Sequence, residues 1–169
     1  KNKISTNTPV LSKESFLNNQ NSVTGEIEIS EVLSGISIIG KVQGLSPGSS
    51  HGMHIIEFNF MEFNKNNNND EIKSSNVIHY NPSNEKHSCP VSDQKSNFHK
   101  GDLGNIIAND KGEAAFSIVK KEKYLTDLNG RGIVITDKPD NCNAANDKDS
   151  NILAFCTIIV VSPRIEINE

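Results

Sequence analysis

Residues 79–102 read HYNPSNEKHSCPVSDQKSNFHKGD, and this polar stretch decides how the rest of the chain is organised. Its three histidines and the second of its two aspartates form a spaced set, namely His79, His87, His99 and Asp102. Three imidazole nitrogens and one carboxylate oxygen make a complete tetrahedral ligand set for Zn²⁺. The stretch has no strand or helix periodicity, and loops this long in compact domains are usually functional or disordered. A zinc ion held at four points would order it, whereas a flexible polar loop with scattered histidines is the alternative.

The overall composition limits the number of domains and the kinds of partner. The chain has 169 residues, of which 34% are hydrophobic, and this is enough for one domain with one core. The formal net charge is -4 and no basic run appears, so we predict no nucleic-acid partner. The longest apolar runs are far too short for a membrane span. Because the chain starts at Lys1 without a methionine, we expect a processed protein that is secreted or extracytoplasmic, although a trimmed chain would start the same way and a cytoplasmic location stays open.

Short extended segments recur along the chain, and no segment shows a helical stripe. In one of them Ile36, Ile38 and Val42 fall on one face at period two. We predict strands over 15–21, 23–30, 36–42, 51–58, 103–108, 114–119, 132–136 and 153–161. The turn sequence at 109–112 ends in glycine and predicts a hairpin between its two flanking strands. This pattern favours an antiparallel β-sandwich or Greek-key barrel.

The same pattern sets the expected boundaries of the domain. We expect a flexible N-terminal segment over residues 1–11, one domain over 12–161 and a C-terminal tail over 162–169. A polar insertion at 59–76 carries four consecutive asparagines, from Asn66 to Asn69, and is expected to form a surface loop. The domain therefore combines short strands with long polar connections.

Four short motifs occur in order along the chain, and together they carry a family resemblance. They are His51-Gly-Met-His54-x-x-Glu57-Phe58, His79-Tyr-Asn-Pro82, His99-Lys-Gly-Asp102-Leu-Gly-Asn105 and Asp110-Lys-Gly112. In this combination the chain resembles the copper/zinc superoxide dismutase family over residues 12–161. The resemblance implies an all-β fold, an eight-stranded antiparallel Greek-key β-barrel with two long functional loops.

The resemblance implies a zinc site that is complete in this chain. The family's zinc-ligand positions are occupied by His79, His87, His99 and Asp102. His79 matches the histidine that bridges copper and zinc in the family. Asp140 stands where the family has an aspartate that links a zinc-ligand histidine to a copper-ligand histidine. In this chain it would hold the rings of His87 and His54, and an ordinary loop acid is the alternative.

The resemblance also implies a copper site that is incomplete in this chain. The family places two copper-ligand histidines as H-x-H on one strand, so that both side chains point the same way. Here the stretch is His54-Ile55-Ile56, and Ile56 stands in place of the second histidine. Thr136 stands where the fourth copper ligand should follow a strand. Two of the four ligands remain, His54 and His79, as a remnant of the copper site.

Two further positions are read through the same resemblance. The family has an arginine that guides superoxide onto copper, and Asn151 or Ile152 takes its place in this chain. His51 matches a family histidine that hydrogen-bonds to the backbone, and we therefore expect it to support the site from outside the ligand set. The missing arginine acts against fast dismutation.

These losses decide the expected function. Dismutation needs a metal that alternates between two oxidation states, and zinc has no redox chemistry. We therefore expect a superoxide dismutase-like domain that binds structural zinc, for which copper is doubtful and superoxide dismutation is weak or absent. One alternative is a functional divergent dismutase, in which Thr136, Asp137 or a cysteine completes the copper site and superoxide is the substrate. Another is a non-enzymatic interaction module, with a homodimer formed through barrel faces.

The three cysteines depart from the family's disulfide. The family joins the loop ahead of the bridging histidine to the last strand, and Cys156 matches one end, offset by one residue. The other end should fall near Lys73, where no cysteine exists. A displaced bridge, from Cys89 or from Cys142 to Cys156, is the hypothesis that follows. The alternative is a buried Cys156 thiol in the core.

Overall fold

The computed structural model describes residues 11–18, 22–57, 77–90, 99–121, 125–142 and 150–161. Within these residues the regular structure is almost entirely β. The strands are β1 (Leu11–Asn18), β2 (Thr24–Val32), β3 (Gly35–Gln43), β4 (Ser50–Ile56), β5 (Asp102–Ile107), β6 (Ala114–Lys120), β7 (Gly132–Thr136) and β8 (Ile152–Thr157). A single turn of 3-10 helix covers Leu125–Leu128. In the described part of the chain, no helix has the length and apolar character needed to cross a membrane.

The strands are hydrogen-bonded in the order β5-β4-β7-β8-β1-β2-β3-β6. Every recorded strand pair is antiparallel. The prediction of an all-β, antiparallel fold is therefore confirmed. Strands β4 and β7 lie beside each other near one end of this order, and this position matters because the candidate site is built around β4.

Period-two alternation explains how β2 and β3 form one wall of the core. Ile27 and Ile29 of β2 and Ile36 and Ile38 of β3 are fully buried, while the residues between them are more exposed. Ile29 lies opposite Ile38 in the antiparallel register. Alternate residues of a strand face the same side of a sheet, so this spacing puts one apolar face against the interior.

The predicted hairpin around 109–112 is wrong in its pairing, although the turn itself is present. The Asn109 amide donates to the Glu113 carbonyl at 2.8 Å, and Gly112 adopts a φ of 75°. However, β5 pairs with β4 and β6 pairs with β3, so the two strands lie at opposite ends of the hydrogen-bonded order. The turn residues fix only the local reversal of the chain, while strand partners are chosen by packing over long range.

The observed strands shift some predicted boundaries. The strand predicted over 132–136 coincides with β7, whereas the last strand ends at Thr157 and the first begins at Leu11. Leu11 therefore belongs to a strand, although the predicted flexible segment included it. Three predicted segments lie outside the described residues. They are residues 1–10, the asparagine-rich insertion at 59–76 and the tail at 162–169.

Candidate metal centre

The end of β4 holds the two halves of the long polar loop against each other. His79 forms an isolated antiparallel bridge with Ile56. The Ile55 amide donates to the Gly101 carbonyl at 2.8 Å, and the Tyr80 amide donates to the Ile55 carbonyl at 2.9 Å. A Cβ on Gly101 would collide with the Ile55 carbonyl oxygen and come within 2.8 Å of the Tyr80 nitrogen. Only glycine therefore allows this close approach, which brings residues from both halves of the loop together.

Four side chains converge where the loop halves meet, and they are those predicted from the sequence. One ligand atom from each of His79, His87, His99 and Asp102 lies within 4.8 Å of all the others. The Asp102 Oδ1 atom is 3.1 Å from His79 Nδ1, 3.2 Å from His87 Nδ1 and 3.5 Å from His99 Nδ1. Ligands bound tetrahedrally to zinc lie about 3.3 Å apart, given bonds of about 2.0–2.1 Å. The spacing of the four atoms thus fits a zinc ion.

Buried imidazole nitrogens give a second indication of a cation. The Nδ1 atoms of His87 and His99 are buried and have no partner in hydrogen-bond geometry among the described residues. Buried polar atoms in folded proteins nearly always have a partner, so atoms left without one call for an explanation such as an ion. These two nitrogens belong to the converging set, and a metal would supply the missing partner.

Asp102 is held in place by the loop around it. Its Oδ2 atom accepts hydrogen bonds from the backbone amides of Ser88 and His99, each at 3.2 Å. Its own amide donates to the His99 carbonyl at 3.0 Å. Asp102 is the first residue of β5 and is completely buried. The carboxylate is therefore fixed by the strand on one side and the loop on the other, with Oδ1 directed at the imidazoles.

The charges in the cluster shift the pKa of both acids and bases. Burial opposes ionisation of Asp102, but the contacts with His54, His79 and His87 outweigh it and hold its pKa far below the ordinary value. The contact with Asp102, and next the hydrogen bond with Asp140, raises the pKa of His87 to about 10. Burial lowers the pKa of His99. A metal-free cluster therefore keeps a proton on His87, whereas His99 tends to stay neutral.

Asp140 lies between the two rings that the sequence analysis assigned to it. Its Oδ1 accepts a hydrogen bond from His87 Nε2 at 2.7 Å, and its Oδ2 is 4.0 Å from His54 Nε2. Asn105 anchors its backbone, since the Asp140 amide donates to Asn105 Oδ1 at 2.6 Å. Because the proton on His87 Nε2 is directed at the carboxylate, Nδ1 is left to face the cluster.

A disulfide joins the loop that carries His87 to the loop that carries Asp140, and its pairing differs from the predicted one. Cys89 bonds to Cys142, with the two Cα atoms 4.7 Å apart. The predicted bridges from Cys89 or Cys142 to Cys156 are wrong, and the alternative of a buried Cys156 thiol is confirmed. Cys156 faces the core from β8, whereas Cys89 follows His87 and Cys142 follows Asp140 by two residues each. The bridge therefore ties together the segments that carry those two side chains.

His54 enters the cluster from β4. Its ring stacks on the ring of His79, with the centroids 4.1 Å apart, and its Nδ1 is 3.6 Å from Asp102 Oδ1. That Nδ1 is also buried without a partner in hydrogen-bond geometry among the described residues. Burial is the main cause that lowers the pKa of His54. His54 thus places a buried imidazole beside the converging set.

The region next to His54 is apolar. Ile56, Val134, Ile152 and Phe155 form a small buried cluster of their own, and Val77 packs against it. We call these five residues the apolar cluster. Of the two candidates for the position of the guiding arginine, Ile152 belongs to this cluster. Ile56 and Ile152 are 2% and 5% exposed, so water has little access to either side chain.

Thr136 and His51 are both buried, and both form hydrogen bonds with backbone groups. The Thr136 hydroxyl donates to the Lys138 carbonyl at 2.8 Å. His51 Nδ1 donates to the Thr136 carbonyl at 2.8 Å, and the Ser49 hydroxyl contacts His51 Nε2 at 2.5 Å. The structure therefore places His51 against the backbone and directs the Thr136 hydroxyl at a carbonyl oxygen.

Sequence reasoning missed three residues that shape this region. Val134 and Phe155 complete the apolar cluster, and the buried Lys120 contacts the backbone of Asp102. The alternation of β7 could have indicated Val134, because it points away from the core face that carries Ile133 and Ile135. A lysine at a core-facing strand position can be recognised in the sequence as unusual, but the sequence does not indicate its partner.

Comparison with known proteins now identifies the family. The model of the family described as copper/zinc superoxide dismutase matches residues 23–159. This chain belongs to the copper/zinc superoxide dismutase family. It is 33% identical over 134 residues to "Superoxide dismutase [Cu-Zn] 3" of Arabidopsis thaliana, a match that covers 76% of this chain and 73% of that protein.

Other relatives of this chain are named as copper chaperones. The chain is 31% identical over 120 residues to "Copper chaperone for superoxide dismutase" of Rattus norvegicus, covering 70% of this chain but only 39% of the chaperone. The protein of the same name from Sus scrofa is 35% identical over 104 residues, which is 34% of its length. The chain thus spans well under half of these chaperones.

A solved structure shows the shared fold. The structure titled "Crystal Structure Analysis of the clock protein EA4" superposes with a TM-score of 0.69 and covers 94% of this chain and 99% of that one. The sequences are only 19% identical, so this likeness concerns the fold alone.

Proposed function

We propose that this chain is a zinc-binding member of the family with weak or no superoxide dismutase activity. One observation carries the proposal, and it is the contrast between two adjoining regions. Four ligand atoms converge within 4.8 Å in one of them. In the other, the apolar cluster contains Ile56, at a position where the family resemblance implies a copper ligand, and Ile152, one of the two candidates for the position of the guiding arginine.

The zinc ligands in this proposal are His79, His87, His99 and Asp102. Zinc would supply structural order and Lewis acidity there, without redox chemistry. The chain's own residues prepare the site, because Asp140 orients the His87 ring and the backbone amides around Asp102 fix its carboxylate. Since the ligands come together only on folding, the metal's binding free energy adds to folding stability.

The copper half of the family site has too few ligands in this chain. His54 and His79 remain as a stacked pair, but Ile56 offers no donor atom. The Thr136 hydroxyl already donates to a backbone carbonyl. Copper binds imidazole sites well, but two histidines beside aliphatic side chains leave it short of protein ligands. Neither Asn151 nor Ile152 carries the positive charge that would attract an anionic substrate.

Metal analysis with an activity assay tests this proposal. We expect about one zinc per chain in the protein as purified, and no dismutase activity after copper is added. Asp102→Asn should lose the zinc, whereas Asp110→Asn, in the exposed turn after β5, should keep it. One tightly held copper per chain, with turnover that tracks copper occupancy, would support a functional divergent dismutase and overturn the proposal.

A second candidate is a binding module, and the copper chaperones among the relatives favour it. The chain matches only part of those chaperones, at 31% and 35% identity. A barrel without a copper site could still dock on another barrel of this family or pair with a second copy of itself. Solution mass measurements and a binding assay against a copper/zinc superoxide dismutase would test this. A monomer that captures no partner barrel would reject it.

The proposal also includes a closed barrel and a secreted or extracytoplasmic location. Family membership favours a closed Greek-key barrel, and the contact between Lys120 of β6 and Asp102 of β5 supports it by joining the two ends of the strand order.

The Cys89–Cys142 disulfide is compatible with the secreted or extracytoplasmic location, because disulfides persist in oxidising compartments. Non-reducing peptide mapping of the protein from its native source would test this, and free thiols at both positions would count against it.

A further inference from the structure

A buried lysine touches the main chain of the candidate metal centre. Lys120 is the last residue of β6 and is only 6% exposed. Its Nζ donates to the backbone carbonyl of Asp102 at 2.8 Å. In the strand pairs that the structure describes, β6 is bonded to β3 and β5 is bonded to β4, so this contact spans the two ends of the strand order. A single side chain therefore connects β6 to the first residue of β5.

A lysine is unexpected at this position. Alternation along β6 places Lys120 on the same face as Phe116 and Ile118, which pack against the hydrophobic core. Lysine is almost never fully buried unless its charge is paired or hydrogen-bonded, because removing it from water is costly. An aliphatic residue would fill the position at no such cost. A lysine here therefore needs polar partners, and the Asp102 carbonyl is one of them.

We propose that Lys120 is a positioning residue for the metal centre, acting through the main chain of Asp102. This inference rests on the proposed function, since it takes the cluster around Asp102 as the zinc site. The Asp102 amide is held by the His99 carbonyl, and its Oδ2 by the amides of Ser88 and His99. Lys120 donates to the Asp102 carbonyl. Every polar group of Asp102 except Oδ1 therefore has a hydrogen bond to the surrounding protein. Oδ1 then remains directed at the imidazoles.

The backbone of Lys120 packs closely against the start of β3. Ile36 lies opposite Lys120 in the β3–β6 register, and a Cβ on the preceding Gly35 would collide with the Lys120 carbonyl oxygen. Gly35 has a φ of 140°, which a residue with a side chain rarely adopts. The end of β6 can therefore come close to the first residue of β3, and the lysine side chain extends from a strand backbone that is held by this pairing.

The test compares Lys120→Met with Lys120→Arg in the full chain. Methionine keeps the apolar stem and removes the donor, while arginine keeps a charged donor. We expect Lys120→Met to weaken zinc binding by about 10- to 100-fold, the range for residues that support metal ligands, and Lys120→Arg to stay closer to the wild type. Lys121→Met is the matched control, because Lys121 is exposed and adjacent, and its zinc affinity should be unchanged. Zinc affinity is measured by competition with a chelator.

A second measurement separates positioning from general support of the fold. Chemical unfolding is followed with and without zinc, and the zinc-dependent part of the stability should shrink in Lys120→Met. Equal destabilisation of both forms with unchanged zinc affinity would overturn the inference and leave the proposed function standing. A wild-type protein that binds no zinc would overturn both. If Lys120→Met does not fold, Lys120→Gln, which is shorter by one bond and keeps a polar end, is judged by the same criterion.

Discussion

His54 and Ile56 are two residues apart on one face of β4, yet they lie in regions of opposite chemistry. His54 stacks on His79 and lies 3.6 Å from the Asp102 carboxylate. Ile56 is buried among Val134, Ile152 and Phe155. The same strand therefore supports a polar region that collects ligand atoms and an apolar region that has none.

This difference teaches that the two regions need different means of stabilisation. The apolar cluster gains stability from packing, since each buried aliphatic side chain contributes on the order of 1.5–3 kcal/mol. The segments around His87 and Asp140 lie in irregular loops, and they are held by the Cys89–Cys142 bridge and by the ligand cluster. Breaking each kind of support should therefore affect one region and spare the other.

The largest effect is expected from the disulfide. Removing the bridge with Cys142→Ser frees a loop with a sequence separation of 53, which should lower the free energy of unfolding by about 4 kcal/mol in the loop-entropy treatment. Denaturant unfolding of the zinc-free protein would measure it, and zinc affinity should fall as well because the His87 loop loses its attachment to the Asp140 loop.

Reductant provides the control for this prediction. Treatment of the wild type should reproduce the destabilisation, whereas the Cys142→Ser variant should not respond, because its remaining Cys89 and Cys156 have no bridge between them. A wild type whose stability and zinc affinity are the same in both redox states would show that the polar region does not depend on the bridge.

The apolar cluster should give a somewhat smaller effect of a different kind. Ile56→Ala removes buried methyl groups and should lower the free energy of unfolding by about 3 kcal/mol. Zinc affinity should stay close to that of the wild type, because Ile56 contributes no ligand. Ile39→Ala is the matched control on β3, since Ile39 is 41% exposed, and it should cost about 1 kcal/mol or less. If Ile56→Ala weakened zinc binding as much as Asp102→Asn, the two regions would not be independent.

Much of the polar region could be predicted from the sequence. The types and spacing of His79, His87, His99 and Asp102 suggested a ligand set, and the structure brings all four together. Strand β7 could also be predicted, because the β-branched run from Ile133 to Ile135, with turn residues on both sides, suits a buried strand. Both features depend on residues whose chemistry or local pattern carries the signal.

The rest depended on which distant segments meet. A disulfide needs two Cα atoms within a narrow distance, so the sequence could not show that Cys89 lies beside Cys142 rather than Cys156. The pairing of β5 and β6 failed for a related reason, since a turn signal acts only between neighbouring residues. The partner of Lys120 is a backbone carbonyl, and every residue has one. These contacts are decided by packing of the whole sheet.

The smallest effect concerns pH, and it sharpens the comparison because only the polar region titrates. In the metal-free protein the contact with Asp102, followed by the hydrogen bond with Asp140, raises the pKa of His87 to about 10. This pKa lies above the unfolded value of 6.5, so the stabilisation is fully present below pH 6.5 and is lost as the pH rises through about 10. Zinc requires the neutral imidazole and must displace this proton, so zinc affinity should rise about tenfold per pH unit between pH 7 and 9.

Chelator competition, corrected for protonation of the chelator, measures the slope. Asp140→Asn should flatten it by removing one of the two carboxylates that hold the proton, and a wild-type affinity that does not change over this range would show that His87 carries no proton to displace.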